Sequence, residues 1–193
     1  ELSLFNLPIE IHYELENPTS PETSYLVEIP AIKFLRSVAD NLRNFGEVKI
    51  FGIARAFIKE KTGPRESRRL LVLQAKLGGE GKGEFYELKG TMDALLDSFG
   101  VSDHWYDDSV SVNYPWAHPG RIAEIKLGDK LIGVIAEISR ANEEALKSKG
   151  RIVIAEFLID QLLTSIESEQ EFRPIAKFPA VVRDVALLVP QDV

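Results

Sequence analysis

Two stretches of the chain carry apolar residues at helical spacing. The first follows Pro30 and stops before Gly46, which fits the preference for proline at the start of a helix and glycine beyond its end. The second runs up to Gly100. The spacing therefore predicts two amphipathic helices, one over residues 31–44 and one built on Leu88, Met92, Leu95, Leu96 and Phe99.

Several shorter stretches have the character of strands, because they are rich in β-branched residues or alternate between apolar and polar side chains. Gly128 and Asp129 separate two of these stretches by the two residues of a tight hairpin. Asn142 and Asp160 have side chains that cap helices, so we expect a short helix after each. The predicted strands cover residues 9–15, 48–58, 71–77, 110–114, 122–127, 131–138, 152–159 and 178–189.

The connections between these elements are polar or rich in glycine. The charged residues 59–69 are expected to join two strands, and His118, Pro119 and Gly120 are expected to form a turn. Residues 78–83 are dense in glycine but lack the Gly-x-x-x-x-Gly-Lys-Ser/Thr spacing of a phosphate-binding loop, so we interpret them as a flexible connector. Strands joined by hairpins and interrupted by a few helices favour an α+β fold with a largely antiparallel sheet.

The composition argues against several kinds of function. A net charge of -7 and a pI near 5.1 do not give the basic field that grips a phosphate backbone. The chain has no cysteine and only three scattered histidines, so we expect neither thiolate chemistry nor a metal site. No apolar run approaches the roughly 20 residues that cross a bilayer. We expect a cytoplasmic protein with no membrane partner, and a piece of a longer polypeptide because Val193 ends the chain within an apolar run.

Several motifs, taken in order, resemble the C-terminal half of bacterial-type phenylalanyl-tRNA synthetase β subunits. The shared order and spacing extend over nearly the whole chain. The motifs are FYELKG at residues 85–90, HPGRIAEI at 118–125, GVIAE at 133–137 and FPAVVRDVAL at 178–187, with NPTS at 17–20 and IFGIARAF at 50–57 as two further segments.

This resemblance implies a fold, a role and partners. Residues 1–170 would form a class II aminoacyl-tRNA synthetase-like antiparallel sheet with flanking helices, and residues 171–193 a linker and the first strand of a ferredoxin-like anticodon-binding domain. The implied role is non-catalytic assembly beside the α subunit, which uses ATP and magnesium to charge tRNA with phenylalanine in a heterotetramer. The chain itself would need no cofactor, would be inactive alone and would self-associate. The alternative is a free-standing synthetase-like protein that binds tRNA or another partner.

An independent enzyme is a second alternative, and the sequence argues against it. Class II sites that form adenylates use an arginine near an acid to hold the phosphates, and a glycine-rich strand that ends in another arginine. Arg55 is followed by Ala56 and Phe57 rather than by an acid, and residues 152–159 contain neither glycine nor arginine. We therefore predict no catalytic, cofactor-binding or metal-binding residue.

Five residues are candidate contacts with tRNA or a protein partner because of their charge or their aromatic rings. Lys59, Lys61 and Arg65 belong to the one locally basic stretch, which could touch a tRNA backbone or could simply be solvated. Trp105 and Trp116 belong to an aromatic cluster that could stack on bases. Acidic neighbours of that cluster favour packing in the core or in a subunit interface.

His118 and Arg121 are the remaining candidates, because a histidine and an arginine beside a Pro-Gly turn could bind a phosphate. The alternative is that Pro119 and Gly120 make a tight turn and that Arg121 pairs with an acid such as Glu124 or Asp129. We favour this alternative because no nucleophile or carboxylate cluster accompanies the pair in the sequence. The adjacent carboxylates at residues 107–108 and 143–144 are expected on solvated faces.

Overall fold

The computed structural model describes Phe5, residues 8–20 and residues 24–166. After a short 3-10 turn at Ile9–Ile11, the chain forms these elements in order: β1 (Tyr13–Glu14), β2 (Tyr25–Leu26), α1 (Ala31–Asn41), β3 (Glu47–Glu60), β4 (Gly63–Lys76), α2 (Lys82–Ser98), β5 (His104–Asp107), β6 (Ala117–Leu127), β7 (Lys130–Ile138), α3 (Arg140–Leu146), β8 (Ile152–Leu158) and α4 (Ile159–Leu163).

A six-stranded sheet in the order β3-β4-β8-β7-β6-β5 dominates the described part of the chain. Every neighbouring pair in this sheet is antiparallel, which confirms the predicted α+β class. The predicted hairpin is also confirmed, because Leu127 pairs with Lys130 across a turn that contains Gly128 with a φ of 56°. β1 and β2 form a separate two-stranded ladder.

The two faces of the large sheet are covered by different helices. On one face, which we call the α1 face, α1 packs over Ile152 and Ile154 of β8. On the opposite face, the α2 face, α2 and α4 pack over Val153, Ala155 and Phe157. β8 is therefore buried on both sides, which explains why its sequence is apolar at every position except Glu156.

α1 forms where the apolar spacing predicts it, although it ends at Asn41 rather than Asn44. Its apolar stripe consists of Ala31, Ile32, Leu35, Val38 and Ala39, and all five are buried against the α1 face. The apolar stripe of this helix packs into the chain's own core, and the outer surface of the helix is polar.

The predicted flexible connector at residues 78–83 is wrong at its last two residues, because α2 begins at Lys82. The carboxylate of Glu84 accepts the backbone N–H of Gly81 at 3.0 Å and so satisfies one of the free donors of the first turn. Gly81 has a φ of 91°, and a Cβ there would lie 2.4 Å from Oε2 of Glu137. This position requires glycine for its conformation and for its closeness to Glu137.

The predicted charged connector at residues 59–69 is also wrong, because β3 and β4 continue through it and close on a turn at residues 61–62. Opposite charges pair across the hairpin. Arg55 Nε lies 3.1 Å from Glu66, and Arg65 Nε lies 2.5 Å from Glu60. Such cross-strand pairs allow a charged sequence to form a strand.

Residues 110–114 do not form the predicted strand, and the edge strand β5 lies earlier, at His104–Asp107. The backbone N–H groups of Ser111 and Val112 instead donate to the carboxylate of Glu124, at 2.8 and 3.1 Å. Residues 118–120 are not a turn between elements but part of β6, where the register shifts between Ala117 and Ile122.

The two short helices form, but with other caps than predicted. The hydroxyl of Ser139, not Asn142, caps α3 by accepting the N–H of Asn142 at 3.3 Å. Asp160 lies inside the first turn of α4. Residues 9–15 are mostly a 3-10 turn and the short β1 rather than one strand. The strand predicted at residues 178–189 and the boundary near residue 171 lie outside the described residues.

Candidate functional site

The best candidate site is a cavity of about 310 Å³ on the α2 face, between the start of α2 and the ends of β6 and β7. Both charged and aromatic side chains line it. We call it the Arg121 pocket; its lining residues are Lys82, Phe85, Tyr86, Gly120, Arg121, Ile122 and Glu137.

Arg121 forms an ion pair with Glu137 at the floor of this pocket. Its Nη1 donates to both carboxylate oxygens, at 3.0 and 2.7 Å. The expected pairing of Arg121 with an acid therefore forms, but the acid is Glu137 and not Glu124 or Asp129. The cause is the register shift in β6, which places Arg121 near the end of β7, where Ala117 already pairs with Ile138.

A buried network of charges lies behind Glu137. Arg151, which immediately precedes β8, contacts Glu137 and donates from Nη1 to Glu143 Oε2 at 2.6 Å. The exposed fractions of the three side chains are 4% for Arg151, 1% for Glu137 and 8% for Glu143. The expectation that no carboxylate cluster accompanies Arg121 is wrong, and so is the solvated placement of Glu143. Only Glu144 of that pair is exposed.

His118 does not join Arg121 in one site. Its Nδ1 accepts the N–H of Gly120 at 3.1 Å, and its ring lines a separate cavity of about 530 Å³. Burial and the guanidinium groups of Arg121, Arg151 and Arg140 lower the pKa of His118.

The aromatic candidates are also separated. Trp116 is 2% exposed and packs edge-to-face on Tyr114, with 5.7 Å between ring centroids, so it belongs to the core. Trp105 is 44% exposed and donates from Nε1 to the carbonyl of Gly128 at 2.9 Å. Lys126 lies 5.6 Å from the Trp105 ring centroid. The pair does not form a joint stacking platform.

The basic candidates lie at the tip of the β3–β4 hairpin, and two of the three have partners there. Lys59 Nζ donates to the carbonyl of Glu10 at 2.9 Å, and Arg65 pairs with Glu60. Lys61 is exposed in the turn. The positive charge of this stretch is therefore partly neutralised by nearby groups.

Sequence reasoning missed a polar cluster that joins α2 to β5. The carboxylate of Asp93 accepts from Tyr106 Oη at 2.6 Å and from Lys89 Nζ at 3.0 Å, and it contacts His104 Nε2 at 2.9 Å. Burial and the bond to Asp93 raise the pKa of Tyr106. His104 and Tyr106 are 11 and 13 positions from Asp93 in sequence, so local spacing does not predict that they join it.

A second buried polar region lies on the α1 face. Burial disfavours the charge of Glu124, but hydrogen bonds from Ser111 and Lys126 outweigh it and lower the pKa of Glu124. Nearby, Arg69 Nε lies 3.6 Å from Glu156, and both line a cavity of about 250 Å³. Across residues 24–166 and the shorter described segments, no three histidine or carboxylate side chains converge as a metal site. No helix in the described ranges is long and apolar enough to span a membrane.

Comparison with known proteins identifies relatives of the chain. Residues 5–159 match the family described as the phenylalanyl tRNA synthetase beta chain CLM domain. The phenylalanine–tRNA ligase beta subunit of Clostridium acetobutylicum is 26% identical over 93% of this chain and 22% of its own length. That of Geobacillus kaustophilus is 30% identical over 91% of this chain and 23% of its own.

The chain thus spans about a quarter or less of the length of these curated relatives. Among solved structures, the pyrrolysyl tRNA synthetase PylSc of Desulfitobacterium hafniense aligns with a TM-score of 0.65 at 16% identity. The alignment covers 84% of this chain and 55% of that one. This likeness confirms the predicted class II synthetase-like fold.

Proposed function

The chain belongs to the phenylalanyl tRNA synthetase beta chain CLM domain family, and from that premise we propose that it is a non-catalytic assembly module of a phenylalanyl-tRNA synthetase. In this role it supports an α subunit that charges tRNA with phenylalanine. ATP and magnesium act at the α subunit, and the complex works in the cytoplasm. The chain alone is inactive.

The main support for this proposal is that packed side chains fill the space over both faces of β8. A class II adenylate site would need a glycine-rich strand here, so that a nucleotide could approach the backbone closely. Ile154 and Ala155, on opposite faces of β8, are both fully buried. The ring of Phe157 also fills the space beside Gly133, where an added Cβ would lie 2.7 Å from Cδ1 of the ring. This packing leaves no room for a nucleotide over the strand.

The β3–β4 hairpin supports the same proposal. Arg55 is the arginine that the family-like segment offers for phosphate contacts, but its side chain is 66% exposed and paired with Glu66. Electrostatic stabilisation requires donors that are fixed and desolvated around the reacting phosphate. An exposed arginine on an edge strand does not meet that requirement.

The surface that we propose for the α subunit lies on β3. Phe51 is 79% exposed and Ile53 is 69% exposed, although both are large and apolar. They project from the α2 face of an edge strand, opposite Val72 and Leu70 of β4. Exposed apolar side chains on one surface are typical of a contact with a partner protein. By contrast, the apolar stripe of α1 is buried, so this helix offers little apolar surface to a partner.

Co-purification tests the assembly role. The full-length protein should retain its α subunit when isolated from its own cells, and lysine at Phe51 and Ile53 should weaken that retention. Val112→Lys is the matched control, because Val112 is 45% exposed and its backbone N–H donates to Glu124 of β6, which lies four positions from β3 in the sheet order. Absence of the α subunit from the purified protein would contradict the assembly role. Retention unchanged by the β3 variants would contradict only the proposed surface.

Pyrophosphate exchange tests the non-catalytic role. The isolated chain should give phenylalanine-dependent ATP–pyrophosphate exchange equal to a buffer control. Exchange above the control that disappears in Arg55→Ala or Arg121→Ala would show that the chain is an enzyme. tRNA binding by the isolated chain, lost when Lys59, Lys61 and Arg65 are replaced by alanine, would instead favour a free-standing tRNA-binding protein.

A further inference from the structure

The Arg121 pocket contains cationic donors that no described residue uses. Arg121 donates to Glu137 through Nη1 alone, and its Nη2 and Nε have no partner within residues 24–166. Its side chain is 47% exposed, so these donors are accessible. Lys82 is exposed at the start of α2 and has no ion pair with any described residue. Two cations with free donors therefore border one cavity.

The local charge around the pocket is less negative than that of the chain as a whole, which is less unfavourable for an anion. The pocket and the network behind it contain four cationic side chains, which are Lys82, Arg121, Arg140 and Arg151. They contain three carboxylates, those of Glu84, Glu137 and Glu143. Glu144 also acts electrostatically on Glu143 and brings the carboxylates to four, so this region is locally neutral in a chain whose net charge is -7. Both oxygens of Glu137 are already engaged by guanidinium groups, so this carboxylate does not repel an incoming anion as a free one would.

The other wall of the pocket is aromatic. Tyr86 is 61% exposed although it lines a cavity, and Phe85 packs against it edge-to-face with ring centroids 5.8 Å apart. Nucleic-acid bases stack on such exposed rings. The cavity volume of about 310 Å³ falls at the lower end of the roughly 300–1,000 Å³ typical of small-molecule sites.

We propose that the Arg121 pocket binds a nucleoside monophosphate unit, with the phosphate between Lys82 and Arg121 and the base on Tyr86. The planar guanidinium suits two-point contact with phosphate oxygens, and the lysine adds a point charge on the other side. The unit could come from a free nucleotide or from the 5′-phosphorylated end of a single RNA strand, because both present the same phosphate and base. This site is distinct from the assembly role and does not depend on it.

Isothermal titration of the 193-residue chain tests the proposal with four probes: AMP, adenosine, inorganic phosphate and a 5′-phosphorylated triribonucleotide. AMP should bind saturably, and adenosine or phosphate alone should bind at least about tenfold more weakly, because each makes only half of the contacts. Tighter binding of the triribonucleotide than of AMP would identify an RNA end as the source. Equal or weaker binding would identify a free nucleotide.

Two exposed variants separate the pocket from the rest of the surface. Lys82→Ala and Tyr86→Ala should each weaken AMP binding about tenfold, from the loss of a charge-assisted hydrogen bond and of a base-stacking contact. Lys33→Ala and Phe45→Ala are the matched controls, because Lys33 is an exposed lysine on α1 and Phe45 is an exposed aromatic residue between α1 and β3. Thermal melting checks that all four variants remain folded. The proposal is overturned if neither AMP nor the triribonucleotide binds saturably at millimolar concentration, or if either pocket variant binds AMP as the wild type does.

Discussion

Replacing Arg151 by methionine removes the cation that lies between two buried carboxylates. Arg151 contacts Glu137 and Glu143, and all three side chains are at least nine-tenths buried. Without Arg151, Glu143 keeps a contact of 3.5 Å to Arg140, whose side chain is 69% exposed, and a hydrogen bond from the backbone of Ile152. Glu137 keeps Arg121. The variant therefore leaves Glu143 with little compensating positive charge and Glu137 with one of its two guanidinium partners.

The expected loss of unfolding free energy is about 3–5 kcal/mol, the usual cost of breaking a buried ion pair by removing one partner. For a chain of this size the melting temperature should fall by about 10 °C. Urea denaturation followed by circular dichroism measures the loss directly.

The control is Arg68→Met, which breaks an equally short ion pair in solvent. Arg68 Nη2 lies 2.6 Å from Asp160, with side chains 52% and 53% exposed, so its loss should cost less than about 1 kcal/mol. Adding Glu137→Gln and Glu143→Gln to Arg151→Met should recover most of the lost stability, because no uncompensated buried charge then remains. A cost for Arg151→Met as small as that of the control would refute the reasoning, and so would a triple variant no more stable than the single one.

Three further predictions concern other parts of the fold. Tyr106→Phe should lower the unfolding free energy by about 1 kcal/mol through loss of the bond to Asp93; an unchanged urea midpoint would contradict the role of that cluster. Burial lowers the pKa of His12, so its stabilising contribution is present above pH ~6.5 and is lost on acidification through the lowered pKa. Wild type should therefore lose more stability than His12→Gln between pH 7.5 and 5, and equal losses in denaturant titrations would refute this. Deleting residues 171–193 should leave the melting temperature nearly unchanged if they open a separate domain, whereas a collapse of folding would place them in the main core.

The elements that could be predicted from the sequence are those whose signals are local. The spacing of apolar residues in α1 and α2, and the Gly128–Asp129 turn, depend on neighbours within a few positions. The charged part of the β3–β4 hairpin could not be recognised in this way. Its strand character depends on pairs such as Arg55 with Glu66, whose significance appears only once the cross-strand register is known.

Prediction of the candidate site depends even more on the register between strands. Arg121 is a candidate from the sequence and lines the cavity, but its partner Glu137 is set by a shift in the β6–β7 ladder that no residue pattern predicts. Arg151 and Glu143 join the site because α3 and the following turn return the chain to the sheet beside Glu137. One signal was present in the sequence, since Glu137 interrupts an otherwise apolar strand. A charge in such a position must either be paired or alter its pKa.

Both central strands, β7 and β8, carry a buried carboxylate. The positions of these two carboxylates indicate that they do more than stabilise the fold. Glu137 of β7 points to the α2 face, beside the Arg121 pocket, and Glu156 of β8 points to the α1 face, where it meets Arg69 beside the second cavity. Replacing a buried ion pair by apolar residues of similar volume is often neutral or stabilising. The folding of the sheet therefore does not by itself require these charges. Each pair instead fixes an arginine at the wall of a cavity, and a fixed, partly desolvated arginine is the element that a site for an anion needs first.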